Sequence, residues 1–334
     1  MDSTNGPGPL LTLGRSYWEC RILLTGAELD LFTLLAPRAL SAAEVTQHLA
    51  GDQRAVTILL DALAAMGLLH KDAGRYQCPR DVAAHLSADS PQSILPMLQH
   101  MAGLWAGWSE LTGIVRGDAG ARARAHYPQS DAQIEAFIGA MHVLAIPRAP
   151  GVIAAIGAGP ARKLLDVGGG PGTYTLAFLQ AHPQMTATLF DRPAVVDIAR
   201  RNCTVAGLLD RVTLVPGDFE HDDLPPGHDL ALLSAIIHQN SPAQNVALYR
   251  RVWHALQPGG RLVIRDHIAS NDRIRPRSGA VFAVNMLVRT EGGNVYTFDD
   301  VQQTLTAAGF EAIRLLQTGS EDMNGLVEAF KPRA

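Results

Sequence analysis

Apolar and polar positions along the chain change rhythm near residue 161, and the change divides the protein into two kinds of structure. Before that point apolar residues recur every three or four positions, the spacing of one buried helix face. Ile22, Leu23, Leu29, Leu31, Phe32 and Leu35 predict a helix ending near Pro37. Ser41 with Glu44 three residues later is a capping box, and the helix it starts runs to about Leu49. Val56, Leu59, Leu60, Leu63 and Met66 mark one side of a further helix over 52–66, which Gly67 closes. The following LLHKDAGRYQC reads as two short strands around Asp72-Ala73-Gly74-Arg75. Three helices and a hairpin make a winged helix-turn-helix. From 94 to about 157 the pattern is again helical, interrupted by a looser, charged segment over 116–130.

After residue 161 short apolar runs alternate with helical stretches. The runs predict strands over 164–167, 187–190, 212–215, 230–236, 261–266, 310–316 and 325–330, with helices between them that include 242–256 and 298–308. Such alternation predicts an α/β fold, a mostly parallel Rossmann-like sheet of seven strands covered on both faces. The organisation expected is therefore a winged-helix module over 1–90, a helical linker with substrate-side helices over 91–160, and a ligand-binding sheet domain over 161–334.

Composition narrows the partners. With 47% hydrophobic and 18% charged residues in 334, the chain is a folded globular protein with a large core. A winged helix invites a DNA-binding regulator as one function, yet residues 41–66 carry a single Arg54 against Glu44, Asp52 and Asp61. Phosphate contacts need Lys and Arg, and a net charge of −4 adds no general pull toward nucleic acid. Self-association is the better use of this module. The twelve histidines are scattered, and Cys20, Cys78 and Cys203 lie far apart, so neither a metal centre nor a disulfide framework is expected. The first residues lack the basic and apolar regions of a signal peptide, and no run reaches membrane-spanning length. A cytoplasmic protein without membrane contact is the expectation.

The densest chemistry lies in KLLDVGGGPGTYTLAF, residues 163–178. Leu164, Leu165 and Val167 form a buried strand that meets Asp166 and then Gly168, Gly169 and Gly170. A helical pattern with Tyr174, Ala177 and Phe178 follows. This is the strand, glycine turn and helix of a nucleotide-binding unit. Glycines alone do not choose the cofactor. A carboxylate at Asp166 would repel a pyrophosphate, whereas it suits a ligand bearing an ammonium or sulfonium charge. That favours S-adenosylmethionine over a nicotinamide dinucleotide.

Ligands of open α/β sheets sit at the carboxyl ends of the strands. Asp166, Asp191 and Asp218 stand at three successive strand ends, Asp191 suited to ribose hydroxyls and Asp218 to the adenine amino group. Phe219 offers a flat face to the ring. The next strand, DLALLSAIIHQNS, is expected to end at His238, where an imidazole can move a proton near neutral pH. The strand RLVIRDHI ends with Asp266 and His267, and a carboxylate there can fix the histidine tautomer. A structural role for His238, capping a strand end, fits the residues equally well.

Together these motifs resemble the two-domain, S-adenosylmethionine-dependent O-methyltransferases, the group of the plant caffeic-acid and flavonoid enzymes and many bacterial relatives. The likeness rests on LDVGGG from Leu165 to Gly170, Phe190-Asp191-Arg192-Pro193, Gly217-Asp218-Phe219, His238, and the stretch from Ala255 to Leu262. It implies an N-terminal winged-helix dimerisation domain, and so a homodimer. It also implies that Gly168 and Gly170 lie along the cofactor, Asp191 on the ribose, and Asp218 with Phe219 on the adenine. His238 matches the general base that takes a phenolic proton, and Asp266 the first of two acids flanking it. Phe137 and Met141 resemble the F-x-x-x-M of the substrate-side helix.

Three departures from the family pattern are visible. Ser234 stands where plant members carry a cofactor-contacting lysine, Val295 where they carry the second acid, and His238-Gln239-Asn240 replaces H-D-W. Trp105, Trp108, Met286 and Leu287 join Phe137 and Met141 as candidate walls for an apolar acceptor. The expected reaction is methyl transfer to a small aromatic or polyketide-like molecule, on oxygen, or on carbon or nitrogen as relatives of this architecture do. No metal is required.

Overall fold

The computed structural model of the protein describes residues 7–125, 130–318 and 323–333. Its contacts divide the chain into two compact units, 1–105 and 106–334. In the first, helix α1 (Pro7–Glu28) leads to α2 (Leu31–Leu35), strand β1 (Leu40–Ser41), α3 (Ala42–Leu49), α4 (Gln53–Ala65), the hairpin β2 (His70–Asp72) and β3 (Arg75–Gln77), and α5 (Arg80–Leu86). Helix α6 (Leu95–Ser109) follows. The single helix expected up to Pro37 is broken instead. Asp30 takes a left-handed conformation at φ 49°, and its carboxylate accepts the Thr33 hydroxyl hydrogen as a new helix starts. The capping box is present: Ser41 Oγ accepts the Glu44 N–H, and the Glu44 carboxylate accepts the Ser41 N–H.

The core of this unit is Leu31, Phe32, Leu35, Val45, Leu60, Leu63 and Tyr76, all essentially inaccessible. Leu40 pairs with Tyr76, so β1 joins the hairpin as a third strand. A two-residue strand carries no periodicity of its own, which is why the sequence pattern did not predict it. The result is a winged helix. The N-terminal part of α1, residues 7–20, is exposed throughout, including Leu10, Leu11, Leu13, Tyr17 and Trp18.

The second unit begins with α7 (Leu111–Val115), α8 (Ala119–Ala125), α9 (Asp131–Ala145) and α10 (Ala149–Ile156). Helix α8 lies within the segment expected to be loose. Then come β4 (Lys163–Val167), α11 (Thr173–Ala181), β5 (Thr186–Asp191), α12 (Pro193–Val205), β6 (Val212–Pro216) and β7 (His228–Ser234). The remainder is α13 (Pro242–Ala255), β8 (Leu256–Asp266), β9 (Ile268–Ala269), α14 (Arg277–Arg289), β10 (Tyr296–Thr297), α15 (Phe298–Ala307), β11 (Glu311–Gln317) and β12 (Gly325–Phe330).

Seven strands form one sheet in the order β11-β12-β8-β7-β4-β5-β6. The five from β8 to β6 are parallel, and β12 runs antiparallel to both neighbours. Alternate residues supply two cores. One face buries Leu165, Val167, Leu233 and Ile264 under α13 and α15. The other buries Leu164, Leu189, Leu232 and Val263 under α10, α11 and α12. The middles of β4, β7 and β8 are apolar on both sides, and polar side chains return at their carboxyl ends. Among the described residues no single helix is long and apolar enough to cross a membrane.

Candidate active site

The glycine turn follows β4 directly. Gly168 has φ +67°, and a Cβ there would come within 2.5 Å of Ile236 Cδ1 and 3.4 Å of Phe219. Only glycine tolerates both the left-handed backbone and that approach. A Cβ on Gly170 would meet nothing within 4 Å, so the turn opens to space on its outer side. The acids at the strand ends surround this opening. Asp166 is buried, and Thr175 Oγ1 donates to its Oδ2 at 2.6 Å. Burial pushes its carboxyl up to about 6, with the nearby Asp191 charge acting in the same direction.

Asp191 ends β5. Its Oδ2 accepts the Gly170 N–H at 2.8 Å and its Oδ1 the Arg192 N–H at 2.7 Å. Each oxygen keeps a lone pair for a further donor. Burial also raises this carboxyl. Asp218 differs: its oxygens accept the Glu220 N–H at 2.9 Å and face His221 Nδ1 at 2.8 Å. The His221 contact holds its carboxyl below the usual range. Asp218, Glu220 and His221 form an exposed trio, and hydrogen bonds within the trio already account for it. Gly217 lets this loop lie against the Phe190 ring, which a side chain would overlap.

His238 is not the last residue of a strand, as the sequence suggested. β7 stops at Ser234, Ala235 turns left-handed at φ 58°, and His238 sits on a single 3-10 turn, Ile237–Gln239. That turn aims the imidazole back across the sheet end. Its Nδ1 lies 2.9 and 3.0 Å from the two carboxylate oxygens of Asp266, which is fully buried and also accepts the His267 N–H at 2.8 Å. An ionised carboxylate only accepts, so Nδ1 carries the hydrogen. The neutral ring then presents a basic Nε2.

Four further residues hold the turn. Phe282 of α14 stands edge-on to the His238 ring, with centroids 5.0 Å apart at 85°. Asn294 N–H donates to the His238 carbonyl at 3.0 Å, an approach open because Gly293 has no side chain to overlap that oxygen. Asn245 of α13 donates to the Ile237 carbonyl at 3.0 Å and accepts from Asn240 at 3.1 Å. Tyr296 donates its hydroxyl hydrogen to the Asn240 carbonyl. Where the second acid of the plant pattern would lie, Val295 is buried. Asn240, the departure from H-D-W, is a tie to α13.

The O-methyltransferase domain family matches residues 149–311, and the O-methyltransferase dimerisation domain family matches residues 11–88. The 3-hydroxy-5-methyl-1-naphthoate 3-O-methyltransferase of Streptomyces sahachiroi is 31% identical over 333 residues, covering 97% of this chain and 95% of that enzyme. The chain belongs to the S-adenosylmethionine-dependent O-methyltransferases. Among solved structures, PigF with SAH has a TM-score of 0.88 at 26% identity, covering 98% of this chain and 100% of that one. Human N-acetylserotonin methyltransferase in complex with SAM has a TM-score of 0.81 at 25% identity over 99% of this chain and all of the other.

The residues fit the methyltransferase cofactor. The space beside Gly170 and the free lone pairs of Asp191 suit a molecule with hydroxyls, and the buried Asp166 behind them suits positive charge. Of the candidate acceptor walls, Met286 is buried on α14 and Met141 is partly exposed on α9. Phe137 packs with Ile138, Val195 and Ile198, so at least part of it serves the core of the methyltransferase unit. Trp108 Nε1 donates to Asn285 on α14 at 3.2 Å. Trp105 falls in the first unit, under the Arg21 guanidinium at 5.5 Å. Leu287 is 36% exposed. The sequence reading passed over Phe282, although it lies four residues before Met286 and so on the same helix face.

Proposed function

We propose that this O-methyltransferase methylates a hydroxyl on a small aromatic or polyketide-like molecule, with His238 as the general base. The observation that carries the reading is the pairing of His238 Nδ1 with the buried Asp266. When bound, the cofactor supplies a methyl group on a positively charged sulfur. Asp166, Asp191, Asp218, Phe219 and the turn from Gly168 to Gly170 would hold it, and Ser234 lines the end of β7 beside them. His238 Nε2 would take the hydroxyl proton, leaving the acceptor oxygen an electron pair for that methyl group, whose bonding pair to sulfur would stay with the sulfur. Asp266 steadies the imidazolium that results. The naphthoate relative, whose name describes a hydroxyl on a fused aromatic ring, supports this acceptor class. Phe282, Met286, Met141, Trp108 and Phe137 are the apolar groups of the methyltransferase unit proposed to wall it. Residues 11–88, matched by the dimerisation domain, are proposed to pair two copies.

The His238→Ala variant tests the assignment. Loss of a general base lowers turnover by about 10²–10⁴-fold, while calorimetric affinity for the cofactor stays within about twofold. Unchanged turnover in that variant would remove His238 from the reaction.

A further inference from the structure

The carboxyl ends of three adjacent strands carry a polar row on the face covered by α10 and α11. Side chains alternate along a strand, so Asp166 of β4, Ser234 of β7 and Arg265 of β8 share the face of Leu164, Leu232 and Val263. Register sets Ser234 level with Arg265, while Asp166 lies opposite Leu232, two residues back along the strand from Ser234. Asp266, the next residue, points to the other face and holds His238.

Arg265 is 8% exposed, and one edge of it reaches back over the neighbouring strand. Its Nη1 lies 3.3 Å from Ser234 Oγ, and its Cζ sits 5.0 Å over the ring of Tyr174, the second residue of α11. Asp166 flanks the same helix start through Thr175. Burial raises the Tyr174 phenol most, while Arg265 and Arg148, at the start of α10, act against that shift and Asp166 acts with it. β4 and β8 are two strand spacings apart, about 10 Å. The reach of Arg265 to Ser234 closes about half of that gap.

An acid and a guanidinium on one face at one end of a sheet offer opposite charges to an α-amino acid zwitterion, which is the end of S-adenosylmethionine remote from its adenine. The sulfonium and ammonium are both repelled by arginine, so only the carboxylate can lie against it. We infer that Arg265 receives the carboxylate of the cofactor, with Asp166 on the ammonium side and Ser234 as the small residue that leaves the guanidinium its path. The inference rests on S-adenosylmethionine being the cofactor, and it makes Arg265 a cofactor-binding residue that does not touch the acceptor.

The test compares two probes that differ only in the carboxylate: S-adenosylmethionine and its decarboxylated form, titrated calorimetrically into the full chain. The wild-type protein should favour the carboxylated probe by about 10- to 100-fold, the range of a charged hydrogen bond. Arg265→Gln should erase that preference while binding the decarboxylated probe within about twofold of wild type, which also shows that the variant is folded. Arg265→Lys should keep part of the preference. Equal loss for both probes in Arg265→Gln would make the residue purely structural and overturn the inference. An intact preference would overturn it too, and move the carboxylate to another cation such as Arg148. A wild-type protein that binds neither probe would refute the cofactor reading instead.

Discussion

At the scale of single residues, the buried Asp166 carries the clearest consequence for pH. Its carboxyl rises from 3.8 to about 6 because burial penalises the anion. The sign follows directly. In the cofactor-free protein this raised value means that Asp166 favours the fold more as pH falls from about 6 toward 3.8, where the folded state holds a proton that the unfolded chain has released. A bound cation reverses the preference, since it stabilises the ionised form. Cofactor affinity should therefore be flat above pH 7 and fall as pH drops below about 6, approaching tenfold per unit. Calorimetric titration between pH 5 and 7.5 measures this slope. Asp166→Asn should bind more weakly at pH 7.5 and lose the slope attributable to this group; a variant keeping the full slope would place the titration elsewhere.

At the scale of elements, the turn that carries His238 depends on α13 more than on its own three residues. Asn245 holds the Ile237 carbonyl and the Asn240 amide, and both asparagines are buried. Asn245→Ala should leave two buried polar groups without partners, costing about 1–3 kcal/mol in urea unfolding. It should also lower turnover, because the imidazole loses its fixed direction. A variant as stable and active as wild type would show the tie to be idle. The same turn explains what the sequence could and could not reveal. Apolar runs located the central strands to within a few residues, and the Ser41 capping box was legible because it needs only two side chains at fixed spacing. The run from Leu230 to His238 looked like one strand, since Ala235, Ile236 and Ile237 continue its hydrophobicity. Hydrophobicity cannot distinguish a buried strand from a buried turn. The break at Asp30 and the reach of Arg265 were hidden for a related reason, because each depends on contacts between residues that periodicity treats as independent.

At the scale of the whole molecule, the exposed face of α1 bears on assembly. Leu10, Leu11, Leu13, Tyr17 and Trp18 are each more than half exposed on one helix, and the matched dimerisation domain begins at residue 11. A contiguous apolar strip of that kind is costly in water unless covered. The wild-type chain is expected to run as a dimer in light scattering, and the double variant Leu13→Glu with Trp18→Glu as a smaller species. A double variant of unchanged mass would place the contact on another surface.

The sheet's spatial order has one more consequence. β12 inserts between β11 and β8, and its Gly325 and Leu326 pair with Asp266 and Arg265. Of the seven strands it is the last to leave the ribosome, yet it closes the flank of the strand bearing both of those residues. A chain halted before residue 325 consequently keeps a bare, hydrophobic edge on β8, the kind of edge that recruits other strands. Loss of β12 is therefore expected to give an aggregating product.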